Sequence, residues 1–315
     1  MRRLEASDHA AWDALVAASS TGTLLHTRRF LSYHGDRFAD RSLVLENDTG
    51  NWCGVLPAAL DTADGSIVVS HPGISYGGLL HSGELTGLKA VRALRTICSH
   101  YSGQGIRLLR YKAVPWIYHR RPAQDDAYAL FRMNAKLYRR DLSTAIDLSA
   151  RGRLSERRRR GIDRARKQGV EVVEGFAAAG AFWDVLAENL AARHGVKPVH
   201  TLEEIALLHS RFPNEIKLLV AEHGGVVVAG ALLFQTDRVS HAQYIAATPK
   251  GRELAALDAV FDVAIRRASA DGRRYFDFGI STEQGGQVLN EGLYEFKADF
   301  GGSGVVHDFY EIALT

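Results

Sequence analysis

The residues best equipped for chemistry lie in YFDFGISTEQGGQVLNEGLYEFKADFGG, Tyr275 to Gly302. An apolar stretch that reads as a short buried strand runs into Ser281, Thr282, Glu283, Gln284, Gln287, Asn290, Glu291 and Lys297, with glycines between them. Carboxylates, a lysine, hydroxyls and amides gathered at a strand end are the set needed to move a proton and hold a polar ligand. The glycines let backbone come close to that ligand. The structural alternative is a solvated loop joining a strand to a helix.

A second stretch carries charge. RGRLSERRRRGIDRARKQ, Arg151 to Gln168, holds nine cations and two acids, a net +7. The whole chain is +3, so the remainder is −4. This is a local anion site on a protein that is not generally basic. Arg157 to Arg160 cannot share one face of a helix, so a purely structural ridge would not use all four. Arginine favours bidentate contact with phosphate, which makes Arg159 and Arg164 candidates for a phosphorylated ligand. A solvated basic face is the alternative. Binding tRNA would call for a broader basic field than the rest of the chain offers.

The 315 residues are 46% hydrophobic and 24% charged, an ordinary globular composition that suggests about two domains. No apolar run approaches the ~20 residues of a membrane span. The first helix, with its acids and Trp12, lacks the core of a signal peptide. Cys53 and Cys98 read as two buried thiols in a reducing cytoplasm. The thirteen histidines are scattered, with no metal-ligand spacing.

These side chains need a scaffold, and periodicity outlines one. Residues 1–20 read as an amphipathic helix with Leu4, Trp12, Leu15 and Val16 inward. Strands around NDTGN, the strand SIVVS, a helix over 84–103, the strand GIRLLRYK and a helix leading into a strand before 150 follow. The second half has a similar order. VEVVEG comes first, then two helices, the second with Thr201 and Glu204 as a capping box. Three strands over 216–247, a helix over 253–272 and the strand YFDFGI complete it. The reading is an α/β (α+β) chain of two tandem domains, 1–150 and 151–315, each a mixed, mostly antiparallel sheet flanked by helices.

The order of the second half, hairpin, long strand, helix and then YFDFG, resembles the GNAT acyltransferase fold. EFKADFGG resembles the FK-x-x-F-G segment of FemABX-like tandem GNAT proteins, and RRRRGIDRARKQGVEV the basic helix before their second domain. SHPGISYGG, RHGVKPVHTLEEI, HAQYIAATPKG and YFDFGISTE look like a sub-group associated with N-acylation of nucleotide-linked amino sugars for surface polysaccharides. The resemblance implies a cytoplasmic enzyme moving an acyl group from acyl-CoA to the amine of such a sugar. The alternative it carries is an aminoacyl-tRNA-dependent transferase acting on a peptidoglycan precursor or small amine. A non-catalytic accessory protein on the same fold is a third reading.

Amide formation needs a proton acceptor, and the oxyanion needs aimed donors. Glu283, at the strand end, is the first candidate base and His200, before a helix start, the second. Asp277, between Phe276 and Phe278, would orient the base or pair with a buried cation. By resemblance Lys297 would meet the acyl donor or developing negative charge, and the carbonyl would lie near Tyr244–Ala247. Gln243 and Tyr244, polar in mid-strand, read as ligand-facing, as does Ser281. Asn290 either caps the helix after it or touches substrate. In the first half, His71 and Tyr76 in a Gly/Pro loop are sugar or nucleotide contacts, or packing. Where a GNAT protein places its glycine-rich pyrophosphate loop, this chain has Thr248, Lys250, Gly251 and Arg252, with a single glycine. A helix N-terminus and two cations there would hold a pyrophosphate.

Overall fold

In the computed structural model residues 1–314 are described, apart from the side chains of Arg193 and His194. Arg2 is drawn to Asp8 at 2.6 Å and to Glu46 at 3.1 Å. It forms β1 (Arg2–Arg3) on β2 (Leu43–Glu46), so the expected first helix is shortened to α1 (His9–Ala18). Trp12, Leu15 and Val16 are buried on it, with Leu4 packed alongside.

Two units make up the chain. The first comprises Met1–Leu142, Thr282–Val288 and Val306–Thr315; the second comprises Ser143–Ser281 and Leu289–Val305. Sequence pattern placed one boundary near residue 150. The chain instead changes unit within a long strand and returns twice, because strands that serve both units carry no turn signal at the change.

The first unit holds α2 (Arg28–Leu31), β3 (Trp52–Leu56), β4 (Ala59–Leu60), β5 (Ile67–Val69), α3 (Leu88–Ser102), β6 (Leu108–Lys112) and α4 (Asp125–Arg132). It also holds the start of β7 (Lys136–Asp147). β1, β2 and β3 form one antiparallel sheet. β4, β5 and β6 form part of another, in which β5 and β6 are parallel. Leu94, Ile97 and Tyr101 of α3 lie in a core with Val68, Leu109 and Tyr111.

The second unit contains α5 (Glu156–Lys167), β8 (Glu171–Glu174), α6 (Ala179–His194), α7 (Leu202–Arg211), β9 (Ile216–His223) and β10 (Val226–Gln235). These are followed by β11 (Val239–Ala247), α8 (Pro249–Glu253), α9 (Ala256–Ala270) and β12 (Tyr275–Ile280). The short strands β13 (Thr282–Glu283) and β14 (Val288–Leu289) precede α10 (Glu291–Ala298) and β15 (Ser303–Ala313). The end of β7 pairs with β12, and the sheet continues β12-β11-β10-β9-β8. β11 and β12 are parallel while the other neighbours are antiparallel. Ala229 and Ala231 of β10 join the core under α9. Gly230 between them meets Phe182 of α6, so alternation puts α6 and α9 on opposite faces. Thr201 and Glu204 form the expected capping box on α7, and Gly195 ends α6 at φ 65°.

α5 resolves the four consecutive arginines into three faces. Arg158, Gly161 and Ala165 are buried. Arg158 reaches Asp258 on α9 at 2.5 Å and Asp299 at 3.4 Å, and its guanidinium lies 4.7 Å from the Phe296 ring. A Cβ at Gly161 would collide with the Asp258 carboxylate, which is why glycine sits there. Burial raises the Asp258 carboxyl despite the cation beside it. A second face neutralises itself through Glu156–Arg159 and Asp163–Arg166. The third carries Arg157, Arg160, Arg164 and Lys167 within an arc of about 80° and a run of about 15 Å. None of these four head groups has an ion pair or hydrogen bond among the described residues.

Removing Arg158 strands a buried carboxylate. Arg158→Ala is expected to cost about 3–5 kcal/mol in urea unfolding. Arg160→Ala, on the exposed face, should stay within about 0.5 kcal/mol of the parent. Equal effects of the two would contradict this division of the helix.

Candidate active site

The parallel ladder between β11 and β12 consists of Val239↔Tyr275, Ser240↔Phe276 and His241↔Asp277. Beyond that pair β11 runs on to Ala247 and β12 to Ile280 without pairing to each other. Two irregularities coincide there. Gln243 is bulged out of the β10 ladder, which passes from Leu233↔Ala242 to Leu232↔Tyr244. Gly279 has φ 78°, where β12 loses register against β7 between Asp277 and Ile280. The strands part, and alternate N–H groups of 244–247 point away from β10 into the gap. Backbone donors so placed suit a developing oxyanion.

Polar groups collect at the parting point. Asp277 has no exposed surface. Its carboxylate accepts from the Ser143 hydroxyl, from Gly279 N–H at 2.9 Å and from His241 Nδ1 at 3.0 Å. Lys297, 3% exposed, donates to the carbonyls of Gly279 at 2.8 Å and Ile280 at 2.7 Å, clamping the bend. Burial pushes the Lys297 ammonium down to about 8, opposed by the charge of Asp277. Ser281 follows directly, 2% exposed, with a hydroxyl that has no hydrogen-bond partner among the described residues.

The bulge also reorders the strand's faces. Ala242 lies in the α9 core, so His241 faces the α6 side. The extra residue then turns Tyr244 to that same side, where its ring meets Trp183 of α6 at 5.3 Å. Tyr244 Oη accepts the His200 backbone N–H at 3.2 Å and lies 2.6 Å from His200 Nδ1. Burial pushes the phenol up to about 12, so it keeps its proton at neutral pH. His200 and Tyr244 are therefore one unit, an edge-on pair beside the gap.

The remaining expected residues fall elsewhere. Glu283 is exposed and belongs to the first unit, whereas Asp277 and Lys297 belong to the second. Asn290 caps α10, its side chain accepting from Leu293 N–H at 3.1 Å. Thr248 caps α8 and takes up the Gly251 N–H at 2.9 Å. A Cβ at Gly251 would strike the Val228 carbonyl, so that glycine serves strand contact. Lys250 pairs with Glu253 at 3.0 Å, and Arg252 donates to the Ala247 carbonyl at 2.6 Å. The helix N-terminus expected here is that of α8, a single turn capped by Thr248. Arg159 is engaged by Glu156, while Arg164 lies on the unpaired stripe of α5.

In the first unit His71 and Tyr76 are 4% and 3% exposed. His71 stacks on His34 at 5.2 Å, and Tyr76 lies between His26 and Tyr118, so both pack the interior. Burial pushes the His71 imidazole down to about 3, keeping it neutral. The gap between the parallel strands β5 and β6 is filled here. Ser70 N–H donates to Arg110 O, Gly77 N–H donates to Lys112 O, and Lys112 N–H donates to Ser70 Oγ.

Sequence reasoning missed His241 and Ser143. In SHAQYIAA the polar pair Gln243 and Tyr244 stands out in mid-strand, and His241 does not. The bulge that makes His241 and Tyr244 neighbours has no glycine or proline to announce it.

Residues 149–297 match the family model for an acetyltransferase (GNAT) domain. A comparison with curated proteins gave no match. Among solved structures the chain is similar to FemX, with a TM-score of 0.68 and 13% identity over 100% of this chain and 98% of that one. It is similar to L-PGS from Bacillus licheniformis, at 0.62 and 12% over 98% and 92%. It is also similar to a tandem GNAT protein from the clavulanic acid biosynthesis pathway, at 0.52 and 11% over 99% and 98%. The fold is thus shared with FemX and with that tandem GNAT protein. With a GNAT acetyltransferase domain across most of its second unit, the chain is a transferase enzyme of the acyltransferase class.

The clamp at Lys297 has a pH signature. Its folded value near 8 lies below the ordinary 10.5, so between these pH values the unfolded chain holds a proton that the folded chain has released. Stability should rise with pH through that window. Lys297→Met should flatten the rise by about 3 kcal/mol, read from denaturant unfolding at pH 7.5 and 10. A variant that keeps the parent slope would place the ammonium in solvent.

Proposed function

We propose that the protein is an N-acyltransferase that carries an acyl group from acyl-CoA to the amine of a nucleotide-linked amino sugar for surface polysaccharide. The chemistry is assigned to the second unit. The observation that carries this reading is the parting of β11 from β12 beside Asp277, His241 and Lys297. A thioester carbonyl in that gap would meet backbone N–H donors on one side, and an amine would approach past Tyr244 and His200. The equivalent gap in the first unit is filled by its own 70–78 loop, which supports placing the donor in the second.

Phosphate recognition falls to α5. Arg157, Arg160, Arg164 and Lys167 form an unpaired stripe on a helix pinned through Arg158 to the first turn of α9. Guanidinium groups so spaced suit a diphosphate of the sugar nucleotide or of CoA. The same stripe suits RNA phosphates, which keeps a second reading in which aminoacyl-tRNA supplies the acyl group.

CoA release, followed with a thiol reagent across amino-sugar nucleotides and acyl-CoAs, tests the first reading. Turnover with at least one pair is expected, and silence from folded protein would sink it. Activity that requires charged tRNA and disappears with ribonuclease selects the second. The double variant Arg160→Ala/Arg164→Ala should weaken binding of the phosphorylated ligand about tenfold or more at low salt. Raising salt should reproduce the loss in the parent. Unchanged affinity at low salt removes α5 from the site.

A further inference from the structure

We infer that His241 is the catalytic proton acceptor of this site and that Asp277 is its positioning residue. The inference rests on the acyl-transfer reading above and names the group that serves it.

His241 forms the last pair of the β11–β12 ladder, so its side chain stands at the mouth of the gap. Its imidazole is held from behind. Asp277, wholly buried, lies 3.0 Å from Nδ1 and is itself fixed by the Ser143 hydroxyl and the Gly279 N–H. An ionised carboxylate only accepts, so Nδ1 carries the hydrogen and the lone pair resides on Nε2. A Cβ at Gly279 would lie 3.5 Å from His241 Cε1, so the ring rests against the bend that Lys297 clamps. The imidazole is 16% exposed, enough to meet a substrate, while its anchor is 0% exposed.

Other basic groups are spoken for. Lys297 spends two hydrogen bonds on carbonyls. His200 Nδ1 is engaged with the Tyr244 hydroxyl at 2.6 Å. Glu283 is exposed and lies in the first unit. Asp277 of β12 pairs directly with His241, and Lys297 of α10 holds the bend beside it.

The step balances with one proton shuttled. The neutral amine attacks the thioester carbonyl, a C–N bond forms, and the nitrogen of the tetrahedral adduct gives one proton to His241 Nε2. Collapse breaks the C–S bond, and the leaving thiolate takes that proton from the imidazolium, leaving amide, free thiol and neutral His241.

The test uses the full chain with the acyl-CoA and acceptor found active above. His241→Ala and His241→Gln should lower kcat about 10²- to 10⁴-fold with KM within about threefold of the parent. Added imidazole should restore part of the rate to His241→Ala. A folded His241→Gln that keeps its kcat, or that changes KM alone, overturns the proposal. A second measurement needs no turnover: nitrogen-15 spectra of the histidine rings should show His241 protonated at Nδ1, and Asp277→Asn should shift that tautomer. An Nε2–H tautomer in the parent overturns the dyad even if the enzyme is active. Silence of the parent across every acyl donor and amine refutes the acyl-transfer reading instead, and the spectra then decide the dyad alone.

Discussion

A buried carboxylate at the point where two parallel strands separate governs the second unit. Asp277 cannot sit at 0% exposure without partners, and each partner it recruits fixes something. Ser143 fixes the β7 side, Gly279 N–H fixes the bend, and His241 fixes the neighbouring strand. Lys297 then holds the two carbonyls that the bend turns out of the ladder. The opening is therefore made by satisfied polar groups, while β11 beyond His241 pairs with β10 and no longer with β12.

The two units treat the same feature differently. Each has a parallel strand pair next to a buried lysine that donates to loop carbonyls: Lys297 to Gly279 and Ile280, Lys112 to His71 and Ile74. In the first unit residues 70–78 occupy the edge of β6, and the tyrosine and histidine rings of that region are packed away. In the second, β11 and β12 stop pairing after His241↔Asp277. A repeated fold can thus keep its packing logic while its two copies end the parallel pair differently.

Much of this was legible in the sequence, for identifiable reasons. The long helices and the strands of both halves follow periodicity, and Thr201, Gly195 and Asn290 announce the ends they occupy. Asp277 stands out because a charge flanked by phenylalanines must be paired or poised, and Lys297 through the FK segment that resembles the FemABX-like proteins. Less was legible where one residue of register decides the outcome. Gln243 and Tyr244 stood out as a polar pair, but the bulge at Gln243 that sets Tyr244 on the face of His241 has no signal in the sequence. His71 and Tyr76 looked like ligand contacts because their loop is rich in glycine, yet that glycine serves close packing, as at Gly77 against the Ser70 carbonyl. The basic run hid a buried structural arginine, Arg158, among exposed ones, and only the position of Asp258 separates them.

The discontinuous make-up of the first unit bears on the order in which the chain acquires structure. β6 takes Phe309–Ala313 of β15 as its antiparallel neighbour, residues nearly two hundred positions later in the chain. Asp308 likewise anchors Arg140. During vectorial synthesis the outer edge of β6 stays unpaired until the final strand emerges, although β5, α3 and α4 are already available. The first unit is begun first and completed last, so its exposed strand edge must be protected throughout translation of the second.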